Sequence, residues 1–160
     1  MTTLIQDAFE AIGAEAFVET AGNAFEIDVP QNGDREVYQL KYPTGDTVLA
    51  EALDVKPKQR HLVLDVMGWR LPIGGRYLCG HDERHWFVAS LPFDRQTTTV
   101  RGAMEALKPS VVLREQKRKG VKHRRHRRKT AAYVRQGEWF FLPRPKMHVG
   151  ELAIRNGQLV

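Results

Sequence analysis

Leu4, Ile5, Ala8, Phe9, Ile12 and Phe17 recur near helical spacing in the first stretch of the chain, with Gly13 as a stop signal, and predict one amphipathic helix within residues 3–18. Beyond it the period changes to that of strands. The short β-type runs "AFEIDV", "EVYQLKY" and "TVLAEALDV" are closed by the turn signals "PQNGD", "PTGD" and "KPKQ", and "RHLVLDVMGW", "RYLCG" and "HWFVASL" continue the series. So many strands at such close spacing leave too little chain for parallel crossovers. The pattern therefore predicts an antiparallel, β-rich sheet or partial barrel.

After Pro92 the helical period returns. "TTTVRGAMEALKP" puts Val100, Met104 and Leu107 on one face, with Thr98 or Thr99 as the cap and Pro109 as the stop. Ser110 is expected to cap a second helix, "VVLREQKRK", that Gly120 closes. One or two helices are thus expected around 98–119. The run that follows has no apolar stripe, so it is expected to be a mobile or partly helical arm. "YVRQGEWFFLP" reads as one strand bent at Gly137, its "WFFLP" end covered on both faces, and "MHVGELAIR" as another. Asn156-Gly157 signals a hairpin whose return strand has only three residues. That shortfall suggests a fragment of a longer protein, or a sheet completed by a neighbouring chain. The fold class expected is α+β: a single domain over 1–160, with a β-rich body (1–95), a helical and basic arm segment (97–130) and incomplete C-terminal strands (131–160).

Charge changes this picture more than any other property. From Arg114 to Arg135 there are eleven Lys or Arg and one acid, Glu115, so the net +6 of the chain divides into about +10 there and −4 elsewhere. A concentrated excess creates a local potential that attracts polyanions, which a dispersed excess does not. Within "KHRRHRRK" arginine predominates, and its planar fork donates to phosphate in pairs and stacks on bases. The arm from Arg114 to Lys129 is therefore read as a nucleic-acid-binding, RNA-binding element, for RNA or single strands rather than a specific DNA operator. Arg124, Arg125, Arg127 and Arg128 are its phosphate contacts, and Lys117, Arg118, Lys119, Lys122 and Lys129 add general attraction. His123 and His126 donate once a polyanion is present, and Trp139 is the stacking residue.

Composition bounds the remaining classes. No window reaches the roughly 18 apolar residues of a membrane span, and the N-terminal stretch carries acids where a signal peptide carries positive charge. An intracellular, cytoplasmic location without a membrane partner is expected. Cys79 is the one cysteine and permits no internal disulfide. "CGHDERH" lacks the glutamate that a zinc-protease helix needs directly after its first histidine. A hairpin with residues 82–84 in the turn would instead set His81 against His85 with Cys79 on the same side, and His148, Asp82 or Glu83 as a fourth ligand for zinc. Two further readings follow: a metal-dependent hydrolase or nuclease built on Cys79, His81, His85 and His148, and a protein-interaction subunit of a larger assembly whose arm meets an acidic partner; Glu138 and Glu151, with His148, are separately the candidates for an acid cluster of a Mg²⁺-dependent nuclease. The leading expectation is a non-enzymatic accessory protein that needs no cofactor.

Overall fold

The computed structural model describes residues 2–45, 48–68, 75–95, 97–123, 125–137 and 139–146, and the backbone of 154–155 and 158–159. Its fold is mixed α+β, with three helices among the described residues, and it forms no closed barrel. The chain makes two compact units, Met1–Lys108 and Pro109–Val160. No helix of the described residues is long and apolar enough to cross a membrane.

The first unit begins with α1 (Thr2–Ala11), which buries Ile5 and Phe9, and Ile12 is buried in the turn just beyond it. The helix ends at the Gly13 signal, so Phe17 falls in β1 (Ala16–Thr20) rather than on the helix. β2 (Glu26–Asp28), the hairpin of β3 (Gln31–Asn32) and β4 (Arg35–Glu36), and β5 (Tyr38–Tyr42) follow. β5 is the centre of a three-stranded sheet ordered β1-β5-β2. Its pairing with β1 is parallel, because the intervening chain first lays β2 antiparallel on the opposite edge of β5 and then reverses again through β3 and β4.

A four-stranded antiparallel meander completes the unit: β6 (Val48–Lys56), β7 (His61–Gly68), β8 (Gly75–His81) and β9 (Trp86–Ser90). Strand alternation sends Leu62, Leu64, Val66, Tyr77, Cys79, Trp86 and Val88 to one core, shared with α1 and the three-stranded sheet. Val63, Leu78 and Phe87 go to a second core, against α2 (Val100–Ala106). β7 is thus covered on both faces, which is why "HLVLDV" is apolar almost without interruption. A bulge between Ala52 and Asp54 re-phases β6 in mid-strand. It lets Ala52 and Val55 both face the first core, while Leu53 packs in the second.

The bulge also aims Asp54 at α2. The Asp54 carboxylate accepts the N–H of Val100 at 2.8 Å, and the Thr99 hydroxyl accepts that of Gly102 at 3.1 Å, so Thr99 is the cap and two donors that the helix itself cannot satisfy are paired. The two sheets are tied by Tyr38. Its fully buried hydroxyl donates to the carbonyls of Phe87 at 2.7 Å and Gly80 at 3.1 Å, and burial pushes the phenol up, so it remains a neutral donor. Tyr38→Phe keeps the ring and removes this bond; the midpoint of urea unfolding is expected to fall by the equivalent of about 1–2 kcal/mol, and an unchanged midpoint would show that the tie contributes nothing.

Candidate nucleic-acid interface

The second unit is small and starts with α3 (Ser110–Arg118). Pro109, not Ser110, is the residue before the first helical turn, and Ser110 makes no cap. Proline presets the backbone at this boundary without needing a donor of its own. Gly120 closes the helix as its sequence signal indicates. At φ +64° it donates to Lys117 O at 3.1 Å while Val121 donates to Gln116 O at 2.9 Å, the paired bonds of a Schellman ending that only a left-handed residue permits.

The basic run that follows is not a free arm. Gln116 is fully buried and its side-chain amide donates to the carbonyl of Arg125 at 2.8 Å; the buried Tyr133 hydroxyl donates to the same oxygen at 2.6 Å. Val112, Ala132 and Tyr133 form the unit's core, with Val111, Val121, Phe140 and Leu142 packed around them. Anchorage therefore comes from two buried polar side chains rather than from an apolar stripe. The run closes in a turn where the Thr130 hydroxyl accepts the N–H groups of Ala132 and Tyr133, both at 3.2 Å.

That turn lays the end of the basic run along a hairpin. β10 (Val134–Gln136) and β11 (Trp139–Phe141) pair antiparallel, Val134 opposite Phe141 and Gln136 opposite Trp139. The expected single bent strand is thus two strands, with Gly137 at φ +56° in a two-residue connection that demands positive φ. On the other side of β10, Lys129 bridges Val134 and the Arg135 N–H bonds Arg128 O. Residues directly opposite in an antiparallel ladder share a face. One face therefore carries Lys129, Val134 and Phe141 in a row, with Gln136 and Trp139 in the next, and all five are exposed.

This overturns the expectation that "WFFLP" is covered on both sides. Only Phe140 turns inward, edge-to-face on Tyr133 with ring centroids 5.0 Å apart; Trp139 is 75% exposed and Phe141 54%. Strand alternation puts the outer two aromatics of the run on one face, and that face is the exposed one. Sequence reading settled on Trp139 within the aromatic run and missed Val134 and Gln136. The two-residue spacing around Gly137 was the signal that would have grouped them.

The cations divide by environment. Lys117, Lys119, Lys122, His123, Arg127, Arg128 and Lys129 are exposed, whereas Arg125 and His126 are half-buried; Arg124 lies outside the described residues. Arg118 is exposed but engaged, its Nε and Nη2 donating to one Glu115 oxygen at 3.1 and 2.7 Å, with Arg144 3.8 Å from the other. The bond from Arg118, together with the charges of Arg118, Arg144 and Lys119, holds the Glu115 carboxyl below its ordinary range. Counting the whole sequence of Pro109–Val160, fourteen Lys and Arg stand against three acids, a net +11, which leaves −5 for Met1–Lys108.

Among the described residues of the zinc expectation, Cys79, His81 and His85 form no metal-holding group. His81 pairs with Trp86, not with His85, because the turn runs from Asp82 to His85, where Asp82 donates to His85 O at 3.0 Å and its carboxylate accepts the N–H groups of Arg84 and His85. Cys79 is fully buried in the first core, where burial pushes its thiol up. His85 turns to Glu36, Nδ1 to Oε1 at 2.6 Å, and His148 and the acids Glu138 and Glu151 lie outside the described residues, as does most of "MHVGELAIR". Among the described residues no group of three His, Cys, Asp or Glu is placed to hold a metal. His81, Arg84, His85 and Trp86 instead line a groove of about 780 Å³ with Glu10, Glu15, Asp34, Arg35 and Glu36. Its lining mixes four acids with two arginines and two histidines.

No protein-family model matches the chain, and no curated protein or solved structure matches it. The functional reading rests on the geometry.

Two outcomes follow. Tyr133→Phe removes a bond to Arg125 O at small cost in packing; about 1 kcal/mol of stability is expected to go, with faster amide exchange over residues 121–130, and unchanged exchange there would show the anchor to be idle. At Glu36, burial raises the carboxyl, but the Trp86 N–H at 2.7 Å and the bond and charge of His85, with the charge of His81, outweigh it and hold the group below its ordinary 4.5. A folded value below the unfolded one gives stability that is complete above about pH 4.5 and lost as pH falls through the folded value. The stability gap between the wild type and Glu36→Gln should therefore narrow in acid, and a gap independent of pH would refute the assignment.

Proposed function

We propose that the second unit binds nucleic acid, RNA or single strands rather than a specific duplex site, through the basic run that Gln116 and Tyr133 hold in place. The observation that carries this reading is the segregation of charge: +11 in a unit of a few dozen residues, on a chain whose remainder is −5. Like charges packed together repel, and a small core has little stability to spend against that repulsion. A polyanion relieves it by replacing the repulsion with phosphate contacts and by releasing its own condensed counterions.

Exposure and hydrogen bonding support a division of roles within the run. Lys117, Lys119, Lys122, Arg127, Arg128 and Lys129 are exposed, and Arg118 is paired with Glu115. Arg125 contributes its carbonyl to the anchor, so its side chain leaves the backbone at a fixed point. Arginine supplies bidentate phosphate donors at 127 and 128, and the lysines act as point charges around them. In this reading the protein is an accessory factor that holds a polynucleotide rather than transforming it.

If the six exposed cations each neutralise one phosphate, the logarithm of single-strand affinity should fall against the logarithm of salt with a slope of about −4. Changing Arg127, Arg128 and Lys129 together to Ala should reduce that slope to about −2. Binding of labelled RNA across a salt series measures both, and the absence of binding at low salt would overturn the proposal.

A further inference from the structure

The geometry points to a single-stranded RNA as the occupant of the outer face of the β10–β11 hairpin, with two unpaired bases stacked on Trp139 and Phe141 and the backbone held by Lys129. This rests on the preceding reading of the basic run and specifies what that run alone leaves open, the strandedness and sugar of the ligand.

Three observations converge on it. First, Trp139 and Phe141 are two residues apart on one strand and so project from the same face about 7 Å apart. Both are more than half exposed, so their ring surfaces are accessible without rearrangement. Aromatic rings presented by a sheet accept bases by stacking whatever the base identity, provided that the base is free of a partner. In a duplex the base faces are covered by their neighbours in the stack.

Second, the face is not merely apolar. Lys129 sits in the same cross-strand row as Val134 and Phe141, one strand away from Val134, and the run from Lys117 to Arg128 leads up to it. An apolar protein segment would cover the face without supplying anions to the cations at its edge. A polynucleotide supplies flat π surfaces and regularly spaced anions on one molecule, which matches a ring-bearing face edged by cations.

Third, Gln136 lies directly opposite Trp139 on this exposed face. A carboxamide both donates and accepts, as does a ribose 2′-hydroxyl. Beside a base stacked on Trp139, Gln136 is placed to engage the sugar, and deoxyribose has no group with which to answer. This is the feature that selects RNA.

The test measures anisotropy of a labelled single-stranded RNA, the single-stranded DNA of the same sequence, an RNA duplex and a poly-glutamate peptide against the full chain. Trp139→Ala and Phe141→Ala should each weaken single-stranded RNA by about tenfold, about a hundredfold together, with the salt slope and the duplex affinity unchanged. Trp139→Phe and Phe141→Tyr should retain binding, which separates loss of the ring from loss of the fold. Gln136→Ala should bring RNA down to the affinity of DNA. Equal weakening of duplex and single strand by the alanine variants would overturn the stacking assignment, as would no weakening at all. Equal binding of RNA and DNA by the wild type would overturn the assignment to RNA. Poly-glutamate bound as tightly, with the same loss in the alanine variants, would assign the face to an acidic protein. If the wild type binds every polynucleotide with a steep salt slope but the ring variants do not differ, this inference falls alone; if it binds none, the reading of the basic run falls with it.

Discussion

One backbone oxygen organises the second unit. The carbonyl of Arg125 receives the amide of Gln116 from the helix and the hydroxyl of Tyr133 from beyond the turn, and both donors are buried. These bonds fix the middle of the run, whose ends are held by Val121 packed against the core and by the bridge of Lys129 to Val134. With them, the chain must pass a fixed point between α3 and β10, and the remaining charges are displayed on a short, closed loop. A single shared acceptor is an economical anchor. It satisfies two polar groups whose burial would otherwise cost more than a kilocalorie each, about 1–3 kcal/mol.

The first unit uses the same device on a larger scale. Tyr38 stands in the three-stranded sheet and its hydroxyl reaches the paired carbonyls of Gly80 and Phe87 in the four-stranded one, so the two sheets are held in register by a bond as well as by the core between them. Phe9 and Trp86 pack on the Tyr38 ring at centroid distances of 4.5 and 5.8 Å, which keeps water from competing for the bond. Glu36, two residues away, then ties the β4 end to the β8–β9 turn through His85 and the Trp86 N–H. Cys79 is buried in the same core, and His85 is engaged by the Glu36 carboxylate.

Much of the architecture was legible in the sequence because it depends on local rules. The meander follows from alternation and turn residues, Thr99 from its position before an apolar face, and the end of α3 from Gly120. The Glu115–Arg118 pairing was likewise available from its three-residue spacing, and it removes one arginine from the set offered to phosphate. What was not legible depends on pairing at a distance. The parallel β1–β5 contact requires knowing that β2 takes the opposite edge of β5. The anchoring of the basic run requires Gln116 and Tyr133 to meet at one carbonyl, and neither residue type signals burial. "WFF" was misjudged for a related reason, since three aromatics in succession suggest a covered strand until the register of the hairpin shows that two of them face outward.

Exposure of these rings carries a cost, which is itself an argument. Trp139 and Phe141 leave apolar surface in water that burial would turn to advantage at roughly 25 cal/mol per Å², in a unit whose core among the described residues centres on Val112, Ala132 and Tyr133. A fold selected for stability alone would turn the larger ring inward, yet it is Phe140 that packs on Tyr133 and Trp139 that faces solvent. The same unit concentrates a charge that works against its own compactness. Two independent departures from stability on one small surface, one apolar and one cationic, are both relieved by the same chemical object, a flexible polyanion with unpaired aromatic faces. A protein partner relieves one or the other unless it too combines acidic groups with rings.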